Sequence, residues 1–269
     1  MARLLIATLI FMPFISRVDF KKALTLFVIG VVQFGLMSLT YMVSFRYLKS
    51  HEVALFTIMT PLYIVGLHCL WHRKINKLNI ITALVAVIGA GIILWRGFAS
   101  QAPLMGFILV EISNLCFASG QLAYREYFKT ESNVPGVSDH ATFAWLYLGG
   151  ASVLLPFAIY EVATIPFVIT LEHYMVIAYL GVIASGLGFF LWNSGARRVA
   201  PGVLAVMNNL KVPLAVGVSL VFFAEPINQV SLLAGGVLVF AALISVLHLN
   251  NQNHGLLRHR FFTKIPRDK

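Results

Sequence analysis

The residues from Ala200 to Ala215 read APGVLAVMNNLKVPLA, inside a hydrophobic run that continues to Ala224. A run of this length can cross a bilayer as one helix, which takes roughly 17–25 residues. Lys211 interrupts the run, and it is the one basic residue that the sequence pattern places deep inside a hydrophobic segment. Charge inside a membrane is costly, so such a residue usually faces a cavity or a partner and marks function. The stretch predicts a membrane helix that carries a functional cation.

The composition is that of a polytopic membrane protein. Of the 269 residues, 59% are hydrophobic and only 11% are charged, whereas soluble proteins carry about 25% charged residues. The net charge of +10 lies almost wholly in the predicted loops and tail. It therefore indicates membrane topology and contact with anionic lipid rather than nucleic acid. Cys69 and Cys116 lie in apolar runs and indicate neither a disulfide nor a zinc site.

Hydrophobic runs predict nine transmembrane helices, eight of full length and a short one at the start. We place them at 4–15, 23–45, 53–71, 78–95, 104–124, 142–160, 174–195, 203–224 and 230–249. The first run imitates a signal peptide, but no small-residue cleavage site follows it, which favours a membrane helix. Residues 125–140 form the longest polar link, and residues 250–269 form a basic tail.

The distribution of lysine and arginine favours a cytoplasmic C-terminus. With the tail in the cytoplasm, fifteen basic residues lie on that side and four on the other. Cytoplasmic loops are enriched in these residues, so this orientation follows the positive-inside rule. The four outer residues are Arg3, Arg46, Lys49 and Arg96.

An internal repeat relates the two halves of the chain. The segment from Gly30 aligns with the segment from Gly181, so that Tyr41 falls on Trp192 and, after a one-residue slip, Pro61 falls on Pro213. The first four helices match the last four, and the helix at 104–124 has no counterpart. The pattern predicts an all-α fold of two inverted five-helix repeats, ten helices in all, whose first helix is missing here. A misassigned start codon and a short natural variant are the two explanations.

The predicted domains are a first repeat at 1–99, which lacks its first helix, a second repeat at 100–249, and a cytoplasmic tail at 250–269. The resemblance that follows is strongest in residues 179–242. There a glycine-rich helix ends in Trp192-Asn193, a short basic loop follows, and the next helix contains Pro213. Glu225-Pro226 and the glycine pair Gly235-Gly236 complete the pattern.

In these features the chain resembles the drug/metabolite transporter superfamily, in its EamA-type branch. The resemblance covers nearly the whole chain and implies a ten-helix basket around a central cavity. It also implies export of small metabolites, amino acids or drugs. Members often carry an acidic residue just before the proline, where this chain has Lys211-Val212.

Glu111 is the one acidic residue that falls well inside a predicted helix. It lies about 12 Å from the outer edge of its helix, at 1.5 Å per residue, and Lys211 lies at a comparable depth from the other side. Buried ions are usually paired, so we expect contact between the two. In the functional interpretation, one of them exchanges a proton or binds a charged group of the substrate. In the alternative, they form a static lock between helices.

Polar residues accompany both charges. Asn114 and Gln121 follow Glu111 on one helix face, and Asn208 precedes Lys211 by three residues. These side chains are assigned to the substrate or proton pathway together with the two charges.

Aromatic residues and prolines complete the predicted pathway. Gln33, Tyr41 and Trp192 lie near corresponding ends of the repeated helices and are assigned to its lining, although aromatics at helix ends often anchor the interface instead. Pro213 and Pro61 have no N–H to donate, so we expect helix kinks there. Prolines in membrane helices also occur with no role beyond packing.

The leading hypothesis is a secondary transporter of the inner membrane, driven by proton exchange. Its expected partners are a small solute, protons and lipid, with a homodimer as an open option; no cofactor, metal or nucleic acid is expected. An intramembrane enzyme is not favoured, because the sequence has neither HExxH nor GxSG with a deep histidine. A membrane scaffold or lipid-handling subunit is the alternative.

Overall fold

The computed structural model describes residues 2–15, 19–95, 104–131, 139–164, 170–223 and 228–262. These residues form helices and no strand. The helices are α1 (Ala2–Phe14), α2 (Phe20–Ser44), α3 (Ser50–His72), α4 (Lys77–Leu94), α5 (Leu104–Glu131), α6 (Asp139–Thr164), α7 (Leu171–Ala196), α8 (Pro201–Phe223) and α9 (Gln229–Phe262).

Eight of the described helices are long and apolar enough to cross a membrane, and α1 is a shorter apolar helix. The prediction of an all-α polytopic membrane protein is confirmed. Each predicted run coincides with an observed helix, and most ends differ by a few residues. Two helices run well past their predicted ends: α5 continues from 124 to Glu131, and α9 continues from 249 to Phe262, into the predicted tail. Arg96, Glu225 and Pro226 lie outside the described residues.

Side chains accept hydrogen bonds from the free N–H groups at several helix starts. Asn76 Oδ1 accepts hydrogen bonds from the backbone N–H groups of Leu78 and Asn79 at 3.1 and 3.3 Å, at the start of α4. Thr170 and His173 form a capping box at the start of α7. These contacts replace the hydrogen bonds that the first turn of a helix cannot make within itself.

The helix α3 is interrupted near its middle. Residues Ile58 and Met59 form a turn, and the helix resumes at Thr60. Pro61 has no N–H, so the carbonyl of Thr57 lacks its helical donor. The N–H of Leu62 bonds the carbonyl of Met59 at 3.0 Å instead of that of Ile58. At the aligned position in the second repeat, α8 continues through Pro213 as one helix.

The chain forms two compact units. Unit 1 comprises Met1–Thr57 and Phe98–Val199, and unit 2 comprises Ile58–Gly97 and Ala200–Lys269. Each unit takes helices from both halves of the sequence, and one boundary falls at the interruption of α3. The division into repeats at 1–99 and 100–249 remains a sequence-based prediction.

In unit 1, α2 and α6 cross in close contact at glycines. A Cβ at Gly30 would overlap the carbonyl of Leu146, and a Cβ at Gly149 would overlap the carbonyl of Phe27. Only a hydrogen fits at these positions, which is how small residues bring membrane helices together. Beside this crossing lies a buried aromatic core, in which the Phe34 and Tyr147 rings stack at 5.3 Å.

Unit 2 uses the same device between α4 and α9. A Cβ at Gly89 would press on the carbonyl of Gly235, and a Cβ at Gly235 would press on the carbonyl of Gly89. The reciprocity places the two backbones in direct contact. A Cβ at Gly202, near the start of α8, would likewise overlap the side chain of Asn79.

We expect Gly30→Ala to lower the free energy of unfolding by about 1–3 kcal/mol, because overpacking a tight contact costs about that much. The added Cβ has only backbone atoms of Leu146 to displace. Gly217→Ala is the matched control, since no atom lies within 4 Å of its Cβ position. Unfolding of the purified variants by SDS in mixed micelles measures both. Equal stability of the two variants would contradict the assigned crossing.

Candidate functional site

Glu111 lies on α5 and is partly buried in unit 1. Its Oε2 accepts a hydrogen bond from Asn114 Nδ2 at 3.2 Å. The same Nδ2 donates to the carbonyl of Phe56 at 3.0 Å, two residues before the interruption of α3. Asn114 therefore connects the intramembrane carboxylate to the backbone of α3 next to its interruption. Gln121, on the same helix, is 1% exposed.

Gln33 and Asn193 come together in the interior of unit 1. Gln33 Nε2 donates to Asn193 Oδ1 at 2.6 Å, and both residues are 0% exposed. Gly120 of α5 packs directly on the Gln33 side chain. The sequence predicted Gln33 and Trp192 as pathway residues, and the structure joins Gln33 to the neighbour of Trp192. In a low-dielectric interior such a bond is strong, and either partner alone would be costly.

Both helices that carry this pair contain a π-helical segment. The segments are Val31–Leu36 in α2 and Leu180–Gly188 in α7. In the predicted repeat alignment, residues 31–36 correspond to residues 182–187, so the two segments match. Short π-helical segments inside α-helices are rare and occur frequently at functional sites.

A buried tyrosine donates to carbonyls inside the second π-helical segment. The Tyr147 hydroxyl donates to the carbonyl of Ser185 at 2.5 Å and also lies 3.1 Å from that of Gly186. The sequence reasoning missed Tyr147, because nothing in the α6 sequence signals a bond to a carbonyl of another helix.

In unit 2, Lys211 is exposed at the middle of the span Pro201–Leu220. Asn208 is buried, and its Nδ2 donates to the carbonyl of Leu204 in its own helix at 2.9 Å. Asn209 Nδ2 donates to the carbonyl of Ile58 at 2.9 Å, which is a carbonyl that the interruption of α3 releases. Lys211 lies in unit 2 and Glu111 in unit 1, and their pairing stays a prediction.

Arg3 requires a correction. The sequence pattern assigned it to the outer loops, which left Lys211 as the one deep cation. In the structure, Leu4 packs against Gly150, near the middle of the 22-residue span Asp139–Tyr160. Thr8 Oγ1 lies 3.3 Å from the carbonyl of Tyr147 on the same helix. The backbone of Arg3 therefore lies at mid-membrane depth. The sequence pattern placed it in a loop because the apolar run of α1 is short.

Two aromatic residues of the predicted pathway occupy different surroundings. Tyr41 is partly buried and packs against the apolar cluster of Leu48, Val53 and Val110. Trp192 is partly buried, and in the described part of the chain its Nε1 has no hydrogen-bond partner.

An ion-pair network that the sequence reasoning did not single out connects one end of three helices in unit 1. The Asp139 carboxylate accepts from Arg197 at 2.8 Å and from Arg198 at 3.5 Å. The Tyr124 hydroxyl lies 3.4 Å from the same carboxylate. The Arg197 guanidinium also lies over the Phe128 ring, 4.2 Å from its centroid. The network holds the ends of α5, α6 and α7 together.

Among the described residues, no group of three or more His, Cys, Asp or Glu side chains is placed to hold a metal ion. The side chains gathered in the membrane interior are amides, hydroxyls, aromatic rings and single charges. Such groups can bind a polar solute and exchange protons.

Comparison with known proteins identifies the family. The family model described as EamA-like transporter family matches residues 1–95 and 104–247. The chain belongs to the EamA-like transporter family. A solved structure, described only as a crystal structure of a protein, shares the fold with a TM-score of 0.76. The match covers 92% of this chain and 87% of that chain at 16% sequence identity.

Two curated relatives are named for their substrate. The biotin transporter of Escherichia coli K12 is 34% identical over 251 residues, which cover 90% of this chain and 81% of that protein. The probable biotin transporter of Pseudomonas aeruginosa is 32% identical over 247 residues, or 90% of this chain and 85% of that protein. The EamA-like chain is therefore a multi-pass membrane transporter and not an enzyme, and its substrate is a small molecule.

The Gln33–Asn193 bond predicts coupling between the two side chains. Changing both to Ala should destabilise the protein by less than the sum of the single changes. The coupling should be about 0.5–1.5 kcal/mol, the range for interhelical hydrogen bonds in membranes. SDS unfolding of the two single variants and the double variant measures it.

A matched cycle uses Thr25→Ala with Asn193→Ala. Among the described residues, the Thr25 hydroxyl bonds only its own helix, at the carbonyl of Lys21. This control cycle should be additive. Additivity of the Gln33–Asn193 cycle as well would show that the bond does not form in the membrane.

Proposed function

We propose that this EamA-like protein is a secondary transporter of biotin, or of a carboxylate of similar size and polarity, working by proton-coupled alternating access. The observation that carries the proposal is the pair of relatives named biotin transporter, at 34% and 32% identity over 90% of the chain. The inner membrane, with the C-terminus in the cytoplasm, is the proposed location, in accord with the distribution of lysine and arginine.

The chemistry of Lys211 supports an anionic substrate. Its side chain is exposed at the middle of a membrane span. Because a cation that faces hydrocarbon is costly, exposure at this depth favours a water-filled opening on that side of α8. Biotin carries one carboxylate at neutral pH, and a cation in the opening would lower the free energy of its entry.

Glu111 is the proposed proton carrier. A carboxylate inside a membrane span is rare, and in transporters such groups commonly relay protons. The hydrogen bond from Asn114 holds one of its oxygens while the residue remains partly exposed. A proton arriving from an aqueous opening would neutralise the charge without breaking the helix.

The remaining predicted pathway residues are proposed to line the route of the substrate and of the proton. Gln33 and Gln121 belong to the buried polar interior of unit 1, and Asn208 to that of unit 2. Tyr41 and Trp192 offer partly buried aromatic faces to an apolar solute surface. The interruption of α3 before Pro61 and the proline inside α8 at Pro213 are proposed points of flexure.

The test is transport of labelled biotin by the purified protein in liposomes, loaded from either side, with and without a pH gradient. We expect biotin movement that an opposing proton gradient alters and that collapses when a protonophore dissipates the gradient. Export, the direction that the family resemblance implies, should appear as efflux from preloaded liposomes. Absence of biotin movement in both directions would favour the alternative of a non-transporting scaffold or lipid-handling subunit.

Two substitutions test the charged residues within the same assay. Glu111→Gln and Lys211→Met should each reduce biotin transport to background while leaving yield and thermal stability in detergent near wild type. Glu172→Gln and Lys77→Met are matched controls, because both residues are exposed at helix starts. Wild-type transport by Glu111→Gln and Lys211→Met would eliminate both residues from the mechanism.

A further inference from the structure

The amide of Gln33 is a buried polar group to which the proposed function gives no defined task. Gln33 lies at the middle of the span Phe20–Ser44 and inside the π-helical segment Val31–Leu36. The residue is 0% exposed, and its Nε2 donates to Asn193 Oδ1 at 2.6 Å. Gln33 Oε1 is buried as well, and no group of the described residues donates a hydrogen bond to it.

The carbonyl of Phe189 fixes the orientation of both amides. Asn193 Nδ2 donates to that carbonyl at 2.9 Å, so the side-chain oxygen of Asn193 faces Gln33. This oxygen requires a donor, so Gln33 presents its nitrogen to Asn193. Flipping either amide would bring two oxygens or two nitrogens together. The unpaired atom of Gln33 is therefore a hydrogen-bond acceptor.

An unpaired acceptor in the membrane interior is costly. Burial without a hydrogen bond forfeits the free energy of hydration, and the low dielectric constant increases the loss. Native proteins leave few such groups. The pattern recurs on either side of Asn193, since Trp192 Nε1 and Ser194 Oγ are buried and have no hydrogen-bond partner among the described residues. This concentration of unpaired groups favours a role in binding over a role in packing alone.

The atoms of the Gln33 amide specify the chemistry of a ligand. Oε1 can accept a hydrogen bond from an N–H, and Nε2 carries a second hydrogen besides the one that it donates to Asn193. Side-chain amides read adenine in the same way, with one bond accepted and one donated side by side. The complementary group is an N–H next to a C=O, as in a cyclic urea or a lactam. An ionised carboxylate has no hydrogen to donate and does not fit.

We propose that Gln33 binds the ureido group of the transported solute, with Asn193 as the positioning residue that orients its amide. Gln33 Oε1 accepts a hydrogen bond from a ureido N–H, and Gln33 Nε2 donates to the ureido oxygen. The inference rests on the proposed function, because biotin carries such a group in its bicyclic ring. It adds the group that this site recognises and the residue that recognises it.

The surroundings of the amide pair fit a closed binding site. Phe34 is 0% exposed, and its ring lies 5.3 Å from that of Phe189, which offers apolar surface to the ring system of the solute. A Cβ at Gly120 of α5 would overlap the Gln33 side chain, so α5 covers the amide closely. In alternating access the site is shielded between its two open conformations. The π-helical segments of α2 and α7 are where these helices can rearrange to admit the solute.

The first experiment compares competitors of labelled biotin transport by the wild-type protein in liposomes. The test compound is biotin methylated on both ureido nitrogens, which keeps the carboxylate and has no N–H to donate. Desthiobiotin, which keeps the ureido group and lacks the sulfur, is the control compound. Desthiobiotin should inhibit about as well as biotin. The methylated compound should inhibit about ten- to a hundredfold more weakly, as for a buried polar group that is left unpaired.

Gln33→Met keeps the length of the side chain and removes the amide. It should raise the KM for biotin by about ten- to a hundredfold and bring biotin and the methylated compound to nearly equal potency. Asn193→Ala should reduce the preference for biotin in part, since the Gln33 amide loses the bond that orients it. Ser113→Ala is the matched control, because Ser113 Oγ bonds the carbonyl of Met37 between α5 and α2, one turn from Gln33. Ser113→Ala should keep the wild-type KM and the wild-type preference.

The outcomes separate this inference from the proposed function. Equal inhibition by biotin and the methylated compound in the wild type would overturn the site alone and leave Gln33 Oε1 to a structural water. A preference that persists in Gln33→Met would also overturn it, since other residues would then exclude the methyl groups. Where Gln33→Met fails to fold, an undiminished preference in Asn193→Ala contradicts the site. Absence of biotin transport by the wild type would overturn the proposed function together with the site.

Discussion

In the membrane interior, every backbone carbonyl that leaves the helical hydrogen-bond pattern has to find another donor, since hydrocarbon offers none. Three buried side chains donate hydrogen bonds to backbone carbonyls at or next to such departures. Asn209 bonds Ile58 and Asn114 bonds Phe56 around the interruption of α3, and the Tyr147 hydroxyl bonds Ser185 in the π-helical segment of α7. The helices depart from regular geometry where such donors are present. The departures therefore mark positions that the fold stabilises with specific side chains.

The same constraint explains where the polar residues of this transporter lie. Gln33 and Asn193 bond each other at matching π-helical segments, which keeps two amides satisfied without water. Asn114 donates to a backbone carbonyl and to a carboxylate, so Glu111 is linked to α3 next to its interruption. A change of charge at Glu111 would thus be felt at α3.

The charges show where sequence reasoning succeeds and where it stops. Lys211 stood out because it interrupts a long apolar run, and the structure places it at the middle of a span. Arg3 was assigned to a loop because the run that follows it is short. Its depth depends on the contact of Leu4 with Gly150, a residue far along the chain. Hydropathy measures the length of a segment, whereas depth is set by the helices against which the segment packs.

The sequence by itself determined the class of protein, the positions of the helices and the family. These properties follow from apolar runs of membrane-spanning length and from local motifs such as Trp192-Asn193 before a basic loop. Only the tertiary structure decided that Gln33 bonds Asn193 and that Asn209 donates to the carbonyl of Ile58. It also decided that the compact units cut across the two halves of the chain. The physical reason is that burial in lipid requires helices of a certain length whatever their order, whereas hydrogen bonds and charge contacts depend on distances of a few ångströms between residues remote in sequence.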